Sequence, residues 1–159
     1  MAEQDYVKMM RESLETKVQI LESLRLLNRE QNQILKDENA TPDQFEDNVS
    51  QKQELIDRLT TLDNGFQQLY NRVKVALDTN RAMYADEIRK MQMLIRDITD
   101  LSATIQAQEK RNRDVAAQKF SNIRGKAKEV RKSQKAVNTY YRNMMDRNFV
   151  DPQFLDSKK

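Results

Sequence analysis

The sequence predicts an all-α protein: an elongated antiparallel three-helix bundle or coiled coil, with a long third helix whose C-terminal part extends or breaks into an additional helix. Composition is the first reason. Of 159 residues, 33% are charged and 38% are hydrophobic, and two glycines and two prolines are too few for a fold rich in tight turns. Periodicity is the second reason, because apolar residues recur at steps of three and four, which marks one face of a helix. Polar breaks in this pattern, near residues 37–41 and 78–81, are the predicted turns.

The first helix is predicted to end at a short polar connection. Lys17, Asn28 and Gln31 interrupt its apolar face, so the stripe is imperfect. After residues 37–40 the chain reads TPDQ (41–44), which has the threonine, proline and glutamine of a capping box at a helix N-terminus. A connection this short makes the first two helices antiparallel neighbours. The apolar face of the first helix comprises Val7, Met10, Leu14, Val18, Leu21, Leu24, Leu27, Ile34 and Leu35.

The second helix is predicted to continue through Gly65, although Asp63-Asn64-Gly65 is a common turn sequence. A turn would reset the phase of the apolar face, and the phase does not change here. The glycine then costs the helix roughly 1 kcal/mol relative to alanine. Asp78-Thr79-Asn80 offers three N-cap residue types in a row and locates the second turn. The uninterrupted steps across the glycine are Leu59, Leu62, Phe66, Leu69 and Val73.

The third segment is the longest. From Tyr84 to Met144 the residues of one face recur at steps of three or four over 61 residues. As one straight helix this segment would span about 90 Å, whereas the first two helices, of about 35 residues each, reach only about 50 Å. The face turns polar at Glu109 and Asn112, so a bend, a break or simple exposure is expected within residues 106–114.

Charge divides the chain near the same place. Residues 1–105 hold 14 Lys and Arg against 19 Asp and Glu, a net charge of −5, whereas residues 106–135 hold 10 against 3, a net charge of +7. This division predicts an antiparallel helical scaffold over residues 1–105, a basic amphipathic C-terminal helical arm over 106–147 and a flexible tail over 148–159.

The residues of catalytic and metal sites are scarce. Cysteine and histidine are absent, which removes thiolate ligands, the usual zinc ligands and the commonest general base. No glycine-rich phosphate loop occurs, and acidic pairs such as Asp86-Glu87 are typical of a solvated helix surface. We therefore predict no enzyme, no catalytic residue, no cofactor and no metal. No signal peptide and no apolar run near the roughly 18 residues of a membrane span is present, so we expect a cytoplasmic protein.

One apolar stripe on the C-terminal arm is the candidate binding site. It continues past the reach of the first two helices, and a row of apolar groups in water normally marks a binding surface. A partner's amphipathic helix laid against it is the functional interpretation; folding back on its own bundle, or pairing with a second copy, is the structural one. Methionine suits an adaptable contact surface. The candidate residues are Phe120, Ile123, Val130, Val137, Tyr140, Tyr141, Met144 and Met145.

The basic residues of the arm have a bland interpretation as a solvated helix face. A nucleic-acid surface would combine such charge with aromatic side chains that stack on bases, and Phe120 is the only aromatic residue among them. Attraction to an acidic protein segment is the better use of this charge. The cations are Lys110, Arg111, Arg113, Lys119, Arg124, Lys126, Lys128, Arg131, Lys132 and Lys135.

The sequence also resembles a known family. The stretches KQELIDRLTTLDNGFQQLYNRV (52–73) and TIQAQEKRNRD (104–114), with the terminus FLDSKK, resemble the FlgN-type flagellar export chaperones of Gram-positive, clostridia-like bacteria. The resemblance implies a small cytoplasmic helical protein that holds unpolymerised hook-associated proteins and delivers them to the type III export apparatus. It also implies a client-binding segment near the C-terminus, which falls on the stripe from Phe120 to Met145.

Partners and rival functions follow from these features. The expected partners are hook-associated proteins, through a C-terminal helical segment. Components of the export apparatus are a second candidate class of partner. Neither nucleic-acid binding nor membrane insertion is expected, and the protein is expected to be a monomer or a weak homodimer. One rival is a coiled-coil structural or adaptor protein that acts by self-association. The other is a binder of nucleic acid or of acidic membranes through the basic arm, whose binding would disappear at modest salt.

Overall fold

The computed structural model describes residues 2–119 and 124–147, with side chains for residues 2–119 and 131–143. Its elements are four α-helices, and the described residues contain no strand. The all-α prediction is therefore confirmed, in the form in which the C-terminal part breaks into an additional helix. The helices are α1 (Glu3–Lys36), α2 (Pro42–Thr79), α3 (Ala85–Lys119) and α4 (Arg124–Arg147).

The first two helix boundaries follow the local sequence signals. At the start of α2 the Thr41 hydroxyl accepts a hydrogen bond from the Gln44 backbone N–H, and the Gln44 side chain accepts one from the Thr41 backbone N–H. Together the two bonds form the capping box that the sequence predicts. The first predicted turn lies between α1 and α2, and the second begins slightly later than predicted, because α2 continues to Thr79 and Asn80 is its C-cap. The helix α2 runs through Gly65 without a break, so its predicted continuity is also confirmed.

The break expected within residues 106–114 is absent. Instead, α3 continues to Lys119, and Glu109 and Asn112, where the apolar face turns polar, are both buried. These side chains find partners on the neighbouring helices, so helix and burial both persist through this segment. The division of the chain at residue 105 into scaffold and arm remains a prediction, although α3 crosses that position without interruption.

The helices form a ring in which α1 and α4 are diagonal. Among the described residues, α1 contacts α2 and α3, and α4 contacts the same two helices. Contacts between Tyr6 and Arg72 and between Lys17 and Asp63 show that α1 and α2 are antiparallel. A hydrogen bond from the Lys119 Nζ to the carbonyl of Asp37, at one end of the bundle, shows that α3 runs parallel to α1. The fourth helix is parallel to α2, so the chain goes up and down the bundle twice.

The apolar core runs along the centre of this ring. Its buried side chains come from all four helices, and α1 supplies a row from Val7 to Leu24 that only the buried Lys17 interrupts. A smaller cluster of Leu35, Phe45 and Ala116 closes the end of the bundle near the first turn. Because every helix needs to bury only one stripe, the chain folds around a thin core despite its high charge.

Gly65 is expected to tolerate alanine. A methyl group added there would meet no atom within 4 Å, and the residue lies inside regular helix. Gly65→Ala should therefore raise the free energy of unfolding by about 0.4–1 kcal/mol, because alanine loses less backbone entropy on folding. Urea unfolding measures the change. A decrease of more than about 1 kcal/mol would show that the glycine is required by the packing.

Candidate functional site: the fourth helix and its polar seat

The structure places the central residues of the predicted stripe inside the bundle. Val137, Tyr140 and Tyr141 are only 1%, 5% and 3% exposed and belong to the main core. At these three residues, α4 is therefore folded back onto the bundle and does not present an exposed surface. Phe120 and Ile123 lie outside the described residues, and Val130, Met144 and Met145 lie on α4 but outside its described side chains.

Tyr140 is joined to a buried ion pair. The Lys17 Nζ lies 2.8 Å from the Asp63 Oδ1, and the Tyr140 hydroxyl donates a hydrogen bond of 2.8 Å to the Asp63 Oδ2. The Lys17 ammonium group also lies 5.8 Å from the centre of the Tyr140 ring, within cation–π range. One carboxylate thus links three helices, α1, α2 and α4.

Burial changes the proton affinities of this group. Desolvation lowers the pKa of Lys17, and the neighbouring Asp63 opposes the decrease only in part. Desolvation also raises the pKa of Tyr140, and the negative charge of Asp63 raises it further. The neutral phenol is therefore strongly favoured in the docked helix, and a phenol that keeps its proton remains a hydrogen-bond donor to the carboxylate.

A second buried ion pair crosses the interior of the bundle between α2 and α3, which are diagonal in the ring. The Lys52 Nζ lies 2.6 Å from the Glu109 Oε1, and both side chains are buried. Desolvation lowers the pKa of Lys52 as well. On α4, burial raises the pKa of Tyr141 to about 12. The hydroxyl groups of Tyr141 and Ser102 are buried near each other, and the interaction with Ser102 opposes part of this increase in the pKa. The surface of α2 and α3 against which α4 packs therefore contains several buried polar groups. We call this surface the polar seat (Lys52, Asp63, Ser102 and Glu109).

Between α1 and α3 the fully buried polar contacts are made by amides instead. The Asn112 side-chain amide donates hydrogen bonds to the carbonyl of Asn28 and to the Gln31 Oε1. On the α1–α2 side, the Asn48 amide donates to the carbonyl of Leu27. These hydrogen bonds join α1 to α2 and to α3, and none of them involves α4.

A groove open to solvent lies between α4 and α2. Its volume is about 350 Å³, and it is lined by Glu46, Val49, Ser50 and Gln53 of α2 and by Lys132 and Ser133 of α4. The position of this groove also shows that α4 runs parallel to α2, because Tyr140 lies further along both helices, beside Asp63.

The buried ion pair of Lys17 and Asp63 is not evident from the sequence. Lys17 interrupts an apolar face, and Asp63 belongs to a common turn sequence. Both are core residues: Lys17 lies three residues after Leu14 and four before Leu21, and Asp63 lies three residues before Phe66. Two residues of opposite charge, each at a core position of the helical repeat on successive helices, are the signal that could have identified the pair.

The buried phenols predict a late tyrosine titration. Tyr140 and Tyr141 should ionise above the ordinary pKa of about 10, with Tyr141 near pH 12. A raised pKa stabilises docking fully below the ordinary value, and the stabilisation is lost as the pH rises through the folded-state pKa. Phenolate absorbance against pH measures this, and in Tyr140→Phe the late fraction should decrease. Equal titration of native and urea-unfolded protein would contradict the buried positions.

In the described part of the chain, no group of three or more acidic residues could hold a metal ion, and the absence of a resident metal remains a prediction. None of the described helices is both long and apolar enough to cross a membrane.

The described residues define an all-α protein of four long helices, in which an amphipathic fourth helix packs on the polar seat. The family model described as FlgN protein matches residues 1–145, and the chain belongs to the FlgN family. This is a family of flagellar export chaperones, not of enzymes, and it binds hook-associated proteins of the flagellum. The resemblance noted in the sequence is thereby confirmed. Searches of curated proteins and of solved structures found no match.

Proposed function

We propose that this protein is a cytoplasmic chaperone of flagellar type III export that binds unpolymerised hook-associated proteins through α4 and prevents their premature assembly. Membership of the FlgN family supports the general role. The observation that carries the specific proposal is the amphipathic character of α4. This helix has large apolar side chains on one face. They pack against a surface that contains a buried ion pair and borders an open groove. The loaded protein, a monomer or weak homodimer, then delivers its client to the export apparatus.

Apolar contact supplies most of the affinity in this proposal. Each large side chain that becomes fully buried contributes roughly 1.5–3 kcal/mol, whereas an exposed ion pair contributes about 0–1 kcal/mol. The cations of α4 should therefore influence the association rate and the salt dependence more than the affinity. The proposed contact residues remain Phe120, Ile123, Val130, Val137, Tyr140, Tyr141, Met144 and Met145.

A substitution on each face of α4 tests the proposal. The probe is the C-terminal segment of a hook-associated protein from the same genome, and calorimetry measures its binding. Val137→Asp should weaken binding by roughly tenfold to more than a hundredfold, because it removes a buried apolar group and adds a charge. The control Arg131→Gln/Lys135→Gln changes exposed residues of the same helix and should weaken binding only slightly, mostly at low salt.

Circular dichroism should show that both variants keep their helical content. If the loss of the two cations is more damaging than Val137→Asp, α4 binds by electrostatics and the proposed apolar capture is wrong. If the protein elutes as a stable dimer and binds no client, the rival function of self-association is favoured instead.

A further inference from the structure

We infer that the polar seat and the client compete for the apolar stripe of α4, and that the Tyr140–Asp63 hydrogen bond holds α4 in its docked position. This inference rests on the proposed function, because it concerns the same stripe. It adds a property that client binding alone does not require: a closed state, with α4 on the polar seat, and an open state, with α4 released.

Burial makes the two uses of the stripe mutually exclusive. Val137, Tyr140 and Tyr141 face α2 and α3 and are almost inaccessible to another molecule. A client helix can reach them only after α4 has left its seat. The apparent affinity for the client is therefore the intrinsic affinity multiplied by the fraction of molecules that are open.

The Tyr140 hydroxyl is the specific contact of the closed state. Asp63 uses one oxygen for Lys17 and the other for Tyr140, so the carboxylate is fully engaged only when α4 is docked. Hydrogen bonds to charged groups contribute more than neutral ones, and losing this one should shift the docking equilibrium by roughly tenfold to a hundredfold.

The rest of the seam makes release feasible. A groove open to solvent lies between α2 and α4 near Ser133, so the two helices share little apolar contact there. The core of α1, α2 and α3 remains in place when α4 leaves, since α1 contacts both other helices.

The test uses the full-length chain with two spin labels. The chain contains no cysteine, so cysteines introduced at the exposed residues Arg58 (α2) and Asn138 (α4) are the only labelling sites. Pulsed electron spin resonance then measures the distribution of distances between the two helices. The main variant, Lys17→Met/Asp63→Leu, replaces the buried ion pair by apolar residues, a change that buried pairs often tolerate. It removes the carboxylate that accepts the Tyr140 hydrogen bond in the closed state.

Without client, the unaltered chain should give one narrow distribution, and the main variant should add a broad component at longer distance. Tyr140→Phe, which keeps the ion pair, should add the same component and provides a second test if the main variant folds poorly. The matched control is Glu87→Gln, which breaks an ion pair with Arg11 between α1 and α3, away from α4. It should leave the distribution unchanged. A narrow distribution in both the main variant and Tyr140→Phe would overturn the inference.

Client binding supplies the second arm. The same hook-associated segment should bind Lys17→Met/Asp63→Leu more tightly than the unaltered chain, by up to the factor by which the docking equilibrium shifts. Released α4 with unchanged affinity would overturn the competition. If no form binds the segment, the proposed function fails and the competition fails with it. The distance measurement then still decides whether the Tyr140–Asp63 bond holds α4.

Discussion

Glu109→Ala is expected to lower the free energy of unfolding by about 3–5 kcal/mol, because it leaves the Lys52 cation buried without a counter-charge. Lys52 is 0% exposed and its ammonium group lies beside Glu109, so water cannot replace the lost carboxylate without opening the bundle. Loss of the proton from Lys52, whose pKa burial already lowers, relieves part of this cost. Urea unfolding at neutral pH measures the change.

The matched control for this prediction removes both charges. Lys52→Met/Glu109→Leu should be close to the unaltered chain in stability or somewhat above it, because apolar residues of similar volume avoid the desolvation of two ions. If the double variant is as unstable as Glu109→Ala, the ion pair itself stabilises the bundle and the argument from an uncompensated charge is wrong.

Phe66→Ala is expected to lower the free energy of unfolding by about 3–5 kcal/mol. Phe66 is among the largest fully buried side chains, and its removal combines lost apolar burial with a cavity that the long helices cannot close completely. Thermal and urea unfolding measure the loss. The neighbour Gln68, which is exposed on the same helix, provides the control, and Gln68→Ala should change stability by less than about 0.5 kcal/mol. A small effect at Phe66 would contradict its central position.

The local features of the fold could be predicted because the signals are local. The capping box at Thr41 and the unchanged phase across Gly65 depend on residues within a few helical turns of one another. Pairing between distant helices leaves no such signal. Lys17 and Asp63 are 46 residues apart, and periodicity within one helix only shows each of them as an irregularity.

The return of α4 onto the bundle is one of the alternatives that the sequence leaves open, for a related reason. The steps of three and four continue in sequence from Ala116 through Phe120 and Ile123, so the apolar phase does not change between α3 and α4. Gly125, near the start of α4, is the one local hint of a boundary. The candidate stripe could be identified from the sequence because amphipathicity is a property of one helix. Its burial could not, because burial depends on which helices meet.

The buried amide and ionic contacts also determine the axial alignment of the helices. Apolar faces with a repeat of about seven residues can slide past one another by one repeat and still bury leucine against leucine. Such a slip would move Asn112 away from Gln31 and Lys52 away from Glu109, and would leave each of them buried without a partner. A version of this chain with an entirely apolar core would gain stability and lose the means to distinguish one alignment from the next.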